Sequence, residues 1–289
     1  VKVLVVGGSG LLGTDLVSKL SADGYEVHSP RHAELDITDP TSVAQIASKV
    51  GAYDWCINCA AYTAVDKAET EVEAATVLNT LAPSYLGGAC LVAGIKVIHI
   101  STDFVFDGSG TEPYEEDFPR SPLGVYGRTK ADGEIGLLEV NQNALIVRTS
   151  WLYGPNGNSF PKTMIRAWDA GKNLRVIADQ TGCPTYTKDL ASVLSQMIAK
   201  NAHPGIYHGS GSTVSNWHSF AVKAITAWKE FKGDPREVVV APIPTSEYPT
   251  PARRPQYSVL STQRLQDMGI EPMPSVEIGL EDFVRNLEF

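Results

Sequence analysis

Short apolar, β-branched runs alternate with stretches of helical periodicity along the first half of the chain. Lys2–Val6 reads as a first strand. Leu12, Leu16 and Leu20 follow at four-residue spacing, which makes one apolar face of a helix over Leu11–Asp23. Tyr25–Ser29 reads as a second strand. Asp39-Pro40 opens the next helix, with Asp as N-cap and Pro at the first helical position, where a missing N–H costs nothing. Trp55–Asn58, Lys96–Ser101 and Ala144–Thr149 continue the series of buried strands, and a long crossover helix is expected across Ala68–Ala93. This alternation predicts an α/β fold built on a doubly wound parallel sheet.

The pattern loosens after Tyr153. Gly154 to Asn158 reads as a loop, and Pro242, Pro244, Pro249, Pro251 and Pro255 gather near the end, where neither helix nor central strand persists. With 289 residues there is room for about two domains. Hydrophobic residues make up 43%, enough for a core. The 24 basic and 33 acidic residues leave a net charge of −9, which argues against a nucleic-acid partner, since phosphate contacts need clustered cations. An anionic small ligand stays open, because a helix N-terminus can hold one. No apolar run approaches the roughly 18 residues of a bilayer span, so no membrane partner is expected. No export or anchoring signal is visible, and the expected compartment is the cytoplasm. Cys56 and Cys59 form a C-x-x-C, readable as a redox pair or half a zinc site. In a strand, however, residues three apart point to opposite faces, and no second pair completes a tetrahedral site. Buried thiols and no metal are therefore expected.

Candidate chemistry begins at Gly7, Gly10 and Gly13, spaced G-x-x-G-x-x-G between the first strand and the first helix. Such a turn lets a pyrophosphate approach the helix N-terminus, so a dinucleotide is the expected cofactor. The second strand ends Ser29-Pro30-Arg31-His32 without the acid that would meet a free ribose 2′-hydroxyl. Arg31 could instead pair with a 2′-phosphate, or be a solvated loop cation, while Glu34 and Asp36 lie close enough to compete. NADPH is favoured, with NADH still possible. Tyr126 and Lys130, four apart, lie on one helical face. A cation about 4 Å from a phenol contributes roughly 4 kcal/mol at an effective dielectric near 20, so Lys130 is expected to lower the Tyr126 pKa from about 10 towards 7. Thr102 ends the strand Lys96–Ser101, where open α/β sheets bind ligands, and could hydrogen-bond a substrate carbonyl. Asp103 beside it could equally be a turn former. Asn58 to Ala61 could admit a cofactor or only pack tightly. Asn79 could order a water for proton relay or be a plain helix amide.

Gly-x-x-Gly-x-x-Gly, Thr102 and Tyr-x-x-x-Lys, in this order, resemble the extended short-chain dehydrogenase/reductases. The match narrows with Ala61 to Glu69, Ser101 to Gly108, Val125 to Lys130 and Arg148 to Gly154. Lys162-Thr163-Met164, Asp179 to Gly182 with Pro184-Thr185, and Tyr248 to Ala252 with Arg254-Pro255 continue it. Together these segments resemble the dTDP-4-dehydrorhamnose reductase family over nearly the whole chain. The resemblance implies reduction of the C4 ketone of dTDP-4-dehydro-β-L-rhamnose by NAD(P)H, the last step of dTDP-L-rhamnose synthesis. It implies a catalytic group of Tyr126, Lys130 and Thr102, and contact with the nucleotide sugar at Thr102, Asp103 and Trp151. It implies a cofactor lined by Gly10, Leu11, Leu12, Asp36, Ile37, Ala61, Tyr62 and Thr63, besides Gly7, Arg31, Tyr126 and Lys130. Trp151 is expected to stack on a ligand face or in the core, and Arg254 to meet the diphosphate or a surface acid. Pro30 stands where some members carry the strand-end acid, and Phe104 replaces a common Tyr, removing one hydroxyl near the sugar. The expected division is a Rossmann-like unit over 1–158 and about 184–201, with a mixed α/β substrate-binding region over about 159–183 and 202–289. The oligomeric state is open at this level; a homodimer is an expectation.

Overall fold

A computed structural model of the chain describes residues 1–47 and 51–288. The first half runs β1 (Lys2–Val6), α1 (Leu11–Ala22), β2 (Glu26–His28), α2 (Pro40–Ala47), β3 (Trp55–Asn58) and α3 (Val65–Ala68). It continues through α4 (Val72–Thr76), a π turn at Val77–Leu81, α5 (Ala82–Ala93), β4 (Lys96–Thr102), α6 (Val125–Val140) and β5 (Leu145–Thr149). The second half holds β6 (Leu152–Tyr153), α7 (Phe160–Asp169), β7 (Leu174–Ile177), β8 (Thr181–Gly182), β9 (Thr185–Tyr186) and α8 (Thr187–Ala199). It ends with β10 (Gly205–His208), β11 (Ser215–Asn216), α9 (Trp217–Lys232), β12 (Val240–Ile243), α10 (Gln263–Asp267) and α11 (Val276–Arg285).

Six parallel strands form the central sheet in the order β10-β5-β4-β3-β1-β2. The chain steps outward from β1 to β2, then returns past β1 to β3. The carboxyl ends of β1 and β3 therefore flank the crevice where ligands enter such sheets. Alternation along β1 sends Val3 and Val5 to one face and Leu4 and Val6 to the other. The first face is covered by α1 and α8 through Leu16, Leu20, Leu194 and Met197. The second is covered by α2, α5 and α6 through Val43, Leu86, Cys90 and Leu137. A separate aromatic core, including Tyr153, Trp168, Phe220, Trp228 and Phe283, joins α7, α9 and α11. β12 tolerates Pro242 because it pairs only with β7 in a two-stranded ribbon.

Three expectations are corrected. Ala68–Ala93 is not one regular helix: α3 stops at Ala68, and the π turn separates α4 from α5. Pro83 supplies the reason, because it has no N–H to give to the Asn79 carbonyl one turn back. The division at 202 also fails, since β10 pairs with β5 inside the main sheet. Finally, Val72–Ala93 is long and apolar enough to cross a membrane by length and composition. Here it packs on the sheet between α2 and α6, as a core helix does.

Candidate active site

Gly7 leaves β1 with φ +77, and a Cβ there would lie 2.8 Å from the Ala60 nitrogen. Only bare backbone fits where the ends of β1 and β3 meet. The Gly10 N–H closes the turn onto the Gly7 carbonyl at 3.0 Å, and Gly10 precedes α1 with no side-chain cap. The N–H groups of Leu11 and Leu12 thus keep their affinity for an anion, and no acid in the first turn opposes one. The Arg31 side chain is 88% exposed, with the Glu34 carboxylate 3.8 Å away. The Asp36 carboxylate is taken up by Thr38, accepting from its N–H at 2.9 Å and its hydroxyl at 2.6 Å, and Ile37 is buried against α2. Ala61, Tyr62 and Thr63 leave β3 over the same crevice, with Ala61 and Tyr62 half-buried and Thr63 exposed. Asn79, at the π turn, clamps this segment. Its Oδ1 accepts from the Tyr62 N–H at 2.8 Å, and its Nδ2 donates to the Tyr62 carbonyl at 3.1 Å and to the Thr129 hydroxyl at 3.2 Å. Both amide protons are spent on protein, so the Asn79 side chain acts as a clamp on this segment. An anion-ready helix end, a bare-backbone cradle and an exposed cation fit a dinucleotide phosphate.

The Tyr126 helix is docked from three sides. Glu69 accepts from the Val125 N–H at 2.8 Å and so caps α6 from outside it. A Cβ on Gly127 would lie 2.2 Å from the Phe104 carbonyl oxygen, so a glycine there lets α6 close on the turn after β4. Thr129 donates to the Tyr126 carbonyl at 3.0 Å while accepting from Asn79. At the end of β4, the Thr102 hydroxyl donates to Asp103 Oδ1 at 3.0 Å and accepts from the Phe104 N–H at 3.2 Å. The same hydroxyl is close enough to act on the Tyr126 phenol. The Phe104 ring meets Tyr126 edge-on at 5.5 Å. Burial pushes the Asp103 carboxyl up to about 6; its Oδ2 is buried without a hydrogen bond of good geometry, although the Ser258 hydroxyl acts on the group.

The expected acidification of Tyr126 by Lys130 does not occur. Burial pushes the phenol up to about 12, with Thr102 lowering it and Asp103 raising it, and Lys130 is not among the groups that act on it. Helical spacing puts both residues on one face, but Lys130 Nζ is drawn into the sheet, donating to the Ile100 carbonyl at 2.7 Å and lying 3.2 Å from His99 Nε2. Burial also brings Lys130 down to about 8. A phenol protonated throughout the physiological range is the right form for giving a proton to a developing alkoxide.

One helical turn further, Glu134 accepts from the Ser101 hydroxyl at 2.5 Å, from Arg120 at 2.6 Å and from both Nε and Nη2 of Arg148, at 2.9 and 2.7 Å. Burial pushes this carboxyl up, but the hydrogen bonds and charges of its arginines outweigh burial and leave it low. Two residues along a strand and four along a helix each span about 6–7 Å. His99 therefore meets Lys130, and Ser101 meets Glu134, in one matched register.

A cleft of about 370 Å³ is lined by Phe160, Met164, Gln180, Trp217, Tyr248 and Arg254, among others. Trp217 starts α9, and its indole N–H donates to Gln180 Oε1 at 3.1 Å. Trp151 is not in the lining. It sits at φ +46, stacked on Trp217 with ring centroids 3.6 Å apart, and its other side meets Gly182, where a Cβ would come within 2.6 Å of the ring. Its stacking partner in this structure is protein, and Trp217 is the ring offered to the cleft. Arg254 lines the cleft but is tied to Asp66 at 2.8 and 3.1 Å, which holds that carboxyl low, so its partner is an acid beside the crevice. Arg175, bonded to Glu247, stands on the same rim. Trp217, Phe160 and Arg175 went unread in the sequence. Thr163, Met164, Gln180, Tyr248 and Thr250 lay within the recognised segments, and their convergence on one cleft was the available signal.

Sheet, glycine turn and Tyr-x-x-x-Lys helix define an oxidoreductase of the extended short-chain dehydrogenase/reductase type. More narrowly, the chain belongs to the RmlD substrate binding domain family, which matches residues 1–289. It is 39% identical to the spore coat polysaccharide biosynthesis protein SpsK of Bacillus subtilis, over 94% of this chain and 93% of that one. It is 37% identical to the dTDP-4-dehydrorhamnose reductase of Mycolicibacterium smegmatis, over 98% of this chain and 85% of that one. The crystal structure of the Bacillus anthracis dTDP-4-dehydrorhamnose reductase in complex with NADP superposes with a TM-score of 0.90, at 37% identity and 98% coverage of both chains.

Proposed function

We propose that this protein reduces the C4 ketone of dTDP-4-dehydro-β-L-rhamnose to dTDP-L-rhamnose, with NADPH as the preferred donor and NADH as the alternative. The observation that carries this reading is that Thr102, at the end of β4, acts on Tyr126, at the start of α6, while Asp66, in the segment after β3, is bonded to Arg254 on the rim of a cleft with an aromatic wall. Leu11 and Leu12 offer N–H groups to the pyrophosphate, and Arg31 is placed to meet a 2′-phosphate. Bound there, the reduced nicotinamide supplies the hydride. Tyr126 gives its phenol proton to the oxygen that becomes the C4 hydroxyl, and Thr102 orients that oxygen. Lys130 holds the nicotinamide ribose. Trp217, braced by Trp151, receives the thymine ring, while Arg175 and Arg254 face the diphosphate. Asp103 accepts from a sugar hydroxyl. The same reading includes a homodimer and a cytoplasmic location.

The test is an absorbance assay at the nicotinamide band with dTDP-4-dehydrorhamnose and each reduced cofactor in turn. Stoichiometric loss of NADPH with formation of dTDP-L-rhamnose is expected. Turnover of the sugar with no net loss of reduced cofactor would mark an epimerase or dehydratase instead.

A further inference from the structure

Two arginines stand on the rim of the cleft, and each is bonded to an acid. They are held differently. Arg175 meets Glu247 through Nη2, and its side chain is 59% exposed. The Arg254 side chain is 23% exposed, and Asp66 grips it with both carboxylate oxygens, Oδ1 on Nη1 at 3.1 Å and Oδ2 on Nη2 at 2.8 Å. The Thr250 hydroxyl and the Ala252 carbonyl also accept from Nη1, the carbonyl at 3.1 Å. The chain from Thr250 to Arg254 is thus wound around one end of its own guanidinium. Asp66 closes the winding, since its Oδ1 also accepts from the Ala252 N–H at 3.2 Å. Gly108, after β4, lets the next residue pack close: a Cβ there would come within 2.6 Å of Pro255 Cα.

A guanidinium has five N–H groups and two edges that can each meet a pair of oxygens. Nη1 and Nη2 form one edge, and Nε and Nη2 form the other. Among the described residues, the bonds of Arg254 all fall on Nη1 and Nη2, and Asp66 fills the first edge. The second edge, with the Nε–H and the other Nη2–H, is left over on a residue that lines the cleft. Arg254 holds the Asp66 carboxyl below the usual carboxylate range, so the grip persists at neutral pH.

We propose that Asp66 is a positioning residue for the nucleotide sugar: it fixes the Arg254 guanidinium by one edge, so that the other presents two parallel donors to oxygens of the diphosphate. Fixing a long side chain beforehand removes the cost of ordering it on binding. Asp66, on α3, is not among the residues lining the cleft, and it acts through Arg254. The inference rests on the reductase reading, which supplies the diphosphate.

The sign of one substitution separates this role from its opposite. Asp66→Asn removes a negative charge near an anionic ligand, so charge alone would tighten binding. If Asp66 aims the arginine, binding weakens instead, because an amide offers one acceptor and one donor and cannot match two N–H groups. The probe is dTDP, titrated by calorimetry into the full-length protein. In Asp66→Asn its Kd should rise about tenfold, the loss expected when a charge-assisted bidentate contact gives way to a single one. KM for dTDP-4-dehydrorhamnose should rise with it, and kcat should change far less. Arg254→Lys keeps a cation for Asp66 but has no second edge, and it should lose about as much. The double variant should bind no worse than the weaker single variant. An unchanged or tighter Kd in Asp66→Asn, or losses that multiply in the double variant, overturns the proposal. Should Asp66→Asn not fold, Arg254→Lys decides: a loss of about tenfold keeps the fork, and unchanged binding overturns it. A wild-type protein that ignores dTDP would bring down the reductase reading, and this inference with it, whereas normal wild-type binding with an indifferent Asp66→Asn brings down the inference alone.

Discussion

Around Tyr126 the site is made of polar groups that satisfy one another inside the protein, whereas around Trp217 it is made of rings. On the first side Glu134, Arg148, Ser101, Lys130 and His99 are all nearly inaccessible to solvent. Burying such groups is costly, and removing one member leaves its partners uncompensated, so the arrangement is intolerant of change but fixes side chains in a single geometry. On the second side Trp151, Trp217, Phe160 and Phe220 stack or meet edge-on. Rings contribute area and shape, and their contacts degrade gradually when one is trimmed. The difference teaches where each kind of precision is needed. Proton transfer requires atoms placed to within tenths of an ångström, and a ring wall needs only complementary surface.

That contrast is open to direct attack. Tyr126→Phe should lower kcat by about 10²–10⁴ while NADPH binding, followed by fluorescence titration, stays near wild type. A variant that kept its turnover would remove Tyr126 from the chemistry. Trp217→Ala should act on the other parameter, raising KM for the dTDP-sugar by roughly 10–100-fold, on the order of 1–3 kcal/mol, with kcat changed far less. If it lowered kcat as Tyr126→Phe does, the two walls would not be separable. The smallest effect concerns stability. Asp103 has its carboxyl raised to about 6 from an ordinary 3.8, so the native state binds more protons than the unfolded chain between those values. Stability contributed by this group is therefore full below about 3.8 and lost as pH rises through 6. Asp103→Asn should then gain about 1–3 kcal/mol at pH 7, with the advantage gone below pH 4. Thermal unfolding at the two pH values checks it, and an equal gain at both would assign the effect to packing.

The sheet was legible because its strands are short, β-branched and buried on both faces, and β1, β3 and β5 begin and end within a residue of their expected limits. Asp39 accepts from the Thr41 N–H at 2.9 Å, the cap anticipated from Asp-Pro. β10 was missed because Gly205–His208 carries little apolar pattern at the edge of the sheet. In the site, Tyr126 and Lys130 could be paired by helical spacing, but spacing does not say which neighbour a flexible lysine chooses. His99 was readable in principle, as a polar residue interrupting the run Val97-Ile98-His99-Ile100. The ring wall was not, because Phe160, Gln180, Trp217 and Tyr248 come from separate stretches of chain that only folding brings together.

The π turn at Val77–Leu81 amounts to one residue more than an α-helix would spend there. Each residue of an α-helix turns the chain by about 100°, so α4 and α5 are out of phase by that angle. The extra residue carries the Asn79 grip on Tyr62. Shortening the segment by a single codon would bring the two halves back into step and swing that amide away from the cofactor loop, even though every side chain around the reacting carbonyl stayed the same.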